Sequence, residues 1–292
     1  MRRLALLGWL ALAACTRFTS ATTPAAPPLV ERSGAHAPDS PVTAATASLS
    51  AASLSPSSVI GESDAEPLPS PASEPPPPEP FEAPLPDRIL PASAPASRLA
   101  NLSPGQCRAE LKRRNLPFKP APGPSKGVAT PLRLTGPLRG VTFRAPGGRS
   151  PYGTLDCRLL LALDELAEVL VRHRVTSVRV DNLHRPRARL PGRRKPSQHS
   201  YGLAADIMSF TLDDGTELVV ERDWVRGPSG SACGPGSRAP DFHPAGIALL
   251  NLVCDIARAG LFHHMLTPNH DEAHRDHLHF DLKRGDRTMI LE

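Results

Sequence analysis

Proline is spread so unevenly along this chain that only part of it can build a packed core. Residues 21–100 carry 18 of the 35 prolines and a single aromatic residue, Phe81. A segment with so little apolar surface to bury cannot offset the entropy of ordering itself. We therefore read residues 16–100 as a disordered Pro/Ala/Ser-rich linker, stiffest at Pro75-Pro76-Pro77-Pro78, where polyproline geometry dominates. Residues 101–292 remain for the folded domain, a length that supports a hydrophobic core.

The linker needs something to be linked to. Arg2 and Arg3 precede an apolar run from Leu4 to Ala14, which has signal-peptide length and is too short to span a bilayer as a mature helix. Leu12-Ala13-Ala14-Cys15 resembles a bacterial lipobox, which implies that residues 1–15 form a lipoprotein signal and that Cys15 is acylated. Thr16 stands where inner-membrane retention would favour Asp, so the expectation is an outer-membrane lipoprotein facing the periplasm. That compartment is oxidising, and the four remaining cysteines, Cys107, Cys157, Cys233 and Cys254, then read as two disulfides. Three pairings are open; Cys107–Cys157 with Cys233–Cys254 closes the shortest loops.

Within 101–292, Ser103-Pro104 reads as the cap and first position of a short basic helix running to Arg114. Thr154 precedes a stronger helix in which Leu159, Leu163, Leu166 and Leu170 share one face. Strands are expected at Thr176–Val180 and Ala204–Phe210, the latter turning through Asp214-Gly215 into a partner at Glu217–Glu221. A further helix spans about Pro244–Ala259 and stops at Gly260. From Asp276 to Leu282 polar and apolar residues alternate, so His277, His279 and Asp281 face one way and Leu278, Phe280 and Leu282 face the core.

That terminal strand pairs chemically with a second motif, Ser197-Gln198-His199-Ser200-Tyr201-Gly202-Leu203-Ala204-Ala205-Asp206. His-x6-Asp together with His-x-His is a mononuclear metal site in outline. Zinc takes such nitrogen and oxygen donors, and a catalytic zinc keeps three protein ligands so that a fourth position stays open. Alternate residues on a strand stand roughly 6.6 Å apart, so one imidazole of the pair ligates while its neighbour meets the ion's water.

Ser-x-His-x-x-Gly-x-Ala-x-Asp followed by His-x-x-Asp-His-x-His resembles the zinc peptidases of the LAS type, which include D-alanyl-D-alanine carboxypeptidases and murein endopeptidases. More closely, Ser197–Gly215 and Ala273–Asp281 resemble the bacterial extensin-like C-terminal domain family. The resemblance implies an α+β fold: a small antiparallel sheet with flanking helices and a metal cleft on the sheet. It also implies that His199, Asp206 and His279 hold zinc and that the catalytic His277 stands beside the metal-bound water, where it takes or returns a proton or stabilises the tetrahedral oxyanion. LAS relatives use an upstream arginine to bind substrate oxygens. Arg187 matches that place, with Arg185 second, although Asn182-Leu183-His184-Arg185-Pro186-Arg187 departs from the usual Ser-Tyr-x-Cys-Arg. His274 lies close enough to orient His277 or substrate, whereas His243, His263, His264 and His270 read as surface or capping residues.

Arg185, Arg187, Arg189, Arg193, Arg194 and Lys195 crowd one loop of a chain with net charge +5. No aromatic residue interleaves with them, which argues against nucleic acid as a partner. Peptidoglycan stem peptides, which carry free carboxylates, fit this surface better. The expected function is a lipid-anchored, zinc-dependent peptidase of peptidoglycan. The alternative is a non-catalytic envelope lipoprotein that binds peptidoglycan through the same cleft.

Overall fold

Capping chemistry sets where the helices begin. The computed structural model describes residues 83–292 except 124, 191, 227–231, 236 and 238–242. The lipobox with Cys15, most of the proline-rich segment and much of the loop after Arg226 lie outside the described residues. The helices are α1 (Pro95–Ala100), α2 (Pro104–Arg113), α3 (Cys157–Arg172), α4 (Val220–Asp223) and α5 (Pro244–Arg258). The strands are β1 (Phe118–Pro120), β2 (Pro131–Leu134), β3 (Thr142–Arg144), β4 (Leu155–Asp156), β5 (Val175–Asn182), β6 (Ala204–Leu212), β7 (Glu217–Val219), β8 (His264–Leu266), β9 (Leu278–Asp281) and β10 (Ile290–Leu291).

Ser103 opens α2 through a capping box: the Gln106 N–H donates to Ser103 Oγ at 3.3 Å and the Ser103 N–H donates to Gln106 Oε1 at 3.0 Å. Two amides that helix geometry leaves free are thereby satisfied. The cap of α3 is Asp156 rather than Thr154. Its Oδ1 accepts the Arg158 N–H at 3.0 Å and its Oδ2 accepts the Thr130 N–H at 2.9 Å, because Leu155 and Asp156 first pair with β2 as β4. Leu159, Leu163, Leu166 and Leu170 are fully buried as their spacing requires, and so are Leu160 and Leu161. α3 is therefore enclosed on more than one side, and each such leucine contributes about 1.5–3 kcal/mol of burial. β7 stops at Val219, earlier than its sequence suggests, because Asp223 Oδ2 accepts the Val219 N–H at 2.7 Å and turns the chain into α4.

The fold is α+β. β1, β2 and β4 form a small antiparallel sheet, and a seven-stranded sheet runs in the order β10-β8-β9-β6-β5-β3 with β7 also on β6. Its centre, β8-β9-β6-β5, is antiparallel, while the edge pairs β10·β8 and β3·β5 are parallel. Cys107–Cys157 staples α2 to the first residue of α3, and Cys233–Cys254 holds the loop ahead of α5 to that helix.

The folded part starts before the expected residue 101. Leu90, Ala96, Leu99 and Ala100 are buried, and the Leu90 N–H donates to the Arg287 carbonyl at 2.8 Å. The Ala96 N–H likewise reaches the Gly260 carbonyl at 3.0 Å. Low aromatic content does not prevent packing here, because small alanines let α1 pack closely on α3 and need no large side chain to do so.

Candidate metal centre

The centre is assembled on a row that crosses three strands. Asn182 of β5 lies opposite Asp206 of β6, and Asp206 lies opposite His279 of β9. His199 arrives from outside the sheet, on a 3-10 turn at Gln198–Tyr201 whose cap is Ser197. Gly202 ends that turn at φ 64°, and a Cβ there would stand 2.9 Å from the Asp156 amide nitrogen, so only glycine delivers the chain into β6 at this point.

The result is a triangle of donor atoms. His199 Nε2 is 2.9 Å from Asp206 Oδ1, Asp206 Oδ1 is 2.9 Å from His279 Nδ1, and the two imidazole nitrogens are 3.1 Å apart. All three side chains are buried, with His199 fully enclosed. The outer nitrogens fix what the inner ones offer. His199 Nδ1 faces the Leu183 carbonyl and His279 Nε2 faces Asp281 Oδ2, each at 3.4 Å, so an N–H on the outer side turns a lone pair inward. Three lone pairs at such separations repel one another unless a cation or a shared proton lies among them. Zinc binds such nitrogen and oxygen donors at about 2.0–2.2 Å, so each side of this triangle is short enough for all three atoms to reach one ion.

Charge balance supports the same view. Burial pushes the Asp206 carboxyl upward, but hydrogen bonds to His199 and His279 outweigh it and hold the group well below the usual carboxylate range. Burial drives His199 below its ordinary value even though Asp206 pulls the other way. His279 is also opposed by burial, yet contacts with Asp206 and Asp281 raise it to about 9. A protonated His279 thus offsets one of the two carboxylate charges it faces, those of Asp206 and Asp281, when no metal is present.

Supporting contacts surround the triangle. Asn182 Nδ2 donates to Asp206 Oδ2 at 2.8 Å, and Asp281 Oδ2, 3.4 Å from His279, also meets His264 Nδ1 at 3.0 Å. His277 Nε2 lies 3.7 Å from Asp206 Oδ1, while its Nδ1 is tied to Asp276 Oδ1 at 2.8 Å. The His274 ring stands 5.2 Å from His277 and 5.9 Å from His279.

Three residues differ from the sequence reading. Arg185, not Arg187, faces the centre: its guanidinium is 3.9 Å from Asp206 Oδ2, whereas Arg187 is exposed in a turn at φ 63°. The Arg185 N–H donates to the His199 carbonyl at 3.1 Å, which fixes that half of the loop beside the His199 turn and carries the chain outward by Arg187. His264 is no surface residue, since it steadies Asp281 behind His279. His263 is fully buried, accepting the Lys283 N–H at 3.1 Å and meeting the Asp286 carbonyl at 3.0 Å. His243 does cap α5, accepting the Gly246 N–H at 2.8 Å. Asn182 carried no sequence signal, because its role depends on strand register.

Residues 105–235 match the family model described as extensin-like protein C-terminus. The matched extensin-like segment includes His199 and Asp206 and stops before His277 and His279. No curated protein and no solved structure matches the chain.

Proposed function

We propose that this chain is a zinc-dependent hydrolase of amide bonds in peptidoglycan stem or cross-link peptides, related to the LAS-type zinc peptidases. It is held at the bacterial outer membrane, on the periplasmic side, by a lipid on Cys15. The observation that carries the reading is the convergence of His199 Nε2, Asp206 Oδ1 and His279 Nδ1 within 2.9–3.1 Å, with His277 alongside. Zinc, when bound, supplies Lewis acidity that polarises a carbonyl and makes water acidic enough to react near neutral pH.

The chain's own residues do the rest. His277 presents Nε2 toward the centre and anchors Nδ1 on Asp276, so it is oriented to take a proton from water and return it to a departing amine. Asn182 and Asp281 hold Asp206 and His279 against rotation. Arg185, half exposed beside Asp206, offers a cation to a substrate carboxylate, and the basic residues through Lys195 extend that field.

The test is direct. Purified protein with zinc should release new amines from murein, and a chelator should stop it. His277→Gln should retain zinc but lower turnover by about 10²–10⁴-fold. Protein that holds zinc and binds sacculi but leaves the muropeptide profile unchanged is a binding lipoprotein, and the hydrolase reading then falls.

A further inference from the structure

Next to this centre lies a second group of donors that the proposed chemistry does not use. His270, Asp271 and His274 each place a ligand-type atom within 4.8 Å of the others. His274 Nδ1 is 2.6 Å from Asp271 Oδ1, His270 Nε2 is 3.6 Å from Asp271 Oδ2, and the two rings meet edge-on at 5.3 Å. His270 Nδ1, on the far side of its ring, is 3.0 Å from Glu292 Oε2. A carboxylate behind a histidine, with the other ring nitrogen turned toward further donors, is the arrangement that orients imidazole ligands at metal sites.

Backbone and side-chain contacts hold these donors in place before any ligand arrives. The Thr267 N–H donates to the Glu292 carbonyl at 2.6 Å, the Trp224 indole N–H donates to Asn269 Oδ1 at 3.0 Å, and Asp271 Oδ1 accepts the His274 N–H at 3.1 Å. Among the described residues no lysine or arginine pairs with Asp271 or Glu292, so the carboxylates here face imidazoles alone. Two imidazoles and a carboxylate favour a late first-row divalent ion such as zinc, nickel or copper over magnesium or calcium, which prefer all-oxygen sites.

We propose that His270, Asp271 and His274 form a second divalent transition-metal site on the rim, oriented by Glu292 and sharing the His274 wall with the inner triangle. The site stands independently of any hydrolytic activity. Its test is a zinc count on chelator-stripped full-length protein by calorimetric titration, with His270→Gln and Asp206→Asn as separate variants. His270 touches none of the inner donors, so His270→Gln should weaken one of two zinc ions by more than about tenfold and leave the other at wild-type affinity. Asp206→Asn should do the reverse. Nickel added beyond the first equivalent to wild-type protein should broaden the His270 and His274 ring resonances, a readout that needs no variant to fold. One ion in wild type, kept by His270→Gln and lost by Asp206→Asn, overturns this site and leaves the inner one. Two ions, one lost by His270→Gln and none by Asp206→Asn, supports the rim site and overturns the inner one.

Discussion

Replacing Asn182 by alanine removes a single donor from the inner centre without touching a ligand. The amide donates to Asp206 Oδ2 at 2.8 Å, and both residues are nearly inaccessible, at 5% and 3% exposed. A hydrogen bond to a charged group contributes about 1.5–3 kcal/mol. In the variant, Asp206 Oδ2 keeps only Arg185, at 3.9 Å, and the carboxylate is free to turn away from His199 and His279. Tenfold in affinity corresponds to about 1.4 kcal/mol, so zinc binding should weaken about 10–100-fold, which is also the usual cost of losing an outer partner of a metal ligand. Titration of stripped protein against a chromophoric chelator reads this directly. Thermal unfolding in fixed excess zinc gives a second measure, and the variant should lose about 1.4–2.8 kcal/mol of the zinc-induced stabilisation. Wild-type zinc affinity in a variant whose metal-free melting point has dropped would refute the reasoning. The row across β5, β6 and β9 would then support only the sheet.

Three further outcomes concern the frame around the site. Gly202→Ala puts a Cβ 2.9 Å from the Asp156 amide nitrogen at φ 64°, so urea unfolding should show a loss of at least about 1–2 kcal/mol, and an unchanged midpoint would count against the turn's role. Cys107→Ser with Cys157→Ser opens a loop between residues 50 apart and should cost about 4 kcal/mol by chain entropy, measured by comparing denaturant midpoints under non-reducing conditions. Burial opposes, but Lys283 and the Thr288 backbone outweigh it and hold the Asp286 carboxyl well below the usual range. Its folded value is depressed, so the stabilisation is present above the ordinary carboxylate value of about 3.9 and fades as pH falls below it. Asp286→Asn should flatten the acid limb of the stability curve, and parallel curves for variant and wild type would exclude this clamp.

Where the sequence was readable, a local rule sufficed. Ser103-Pro104 announces α2, the leucine spacing announces the buried face of α3, and alternation sorts His279 and Asp281 from Leu278 and Phe280 within β9, whereas His277, expected in the same strand, lies just ahead of it. Misreadings arose where a distant contact overrode the local rule. Thr154 is as good a cap as Asp156 in isolation, and only the pairing of β4 with β2 decides between them. The stretch before residue 101 is poor in aromatics, yet α1 uses alanine to approach α3. Arg185 and Arg187 differ by two positions in one loop, and the hydrogen bond from the Arg185 amide to His199 separates their roles.

The inner centre and its surroundings are held by different means. Asn182, Asp206 and His279 belong to adjacent strands, so their backbones are fixed by the same ladder that forms the sheet. Moving any one of them relative to the others means breaking that ladder. His277 and Arg185 lie outside the strands, on segments secured by a few hydrogen bonds. Groups that only have to hold an ion gain from a fixed position, and groups that have to receive substrate or pass a proton gain from freedom to adjust. Two of the three ion donors, Asp206 and His279, sit in a row across the sheet, the third, His199, is carried to them by the turn that Gly202 ends, and the groups that meet substrate or pass a proton lie in the loops at the border. A substitution in the row or at His199 should therefore alter metal affinity first, and a substitution at His277 or Arg185 should alter turnover while the metal stays bound.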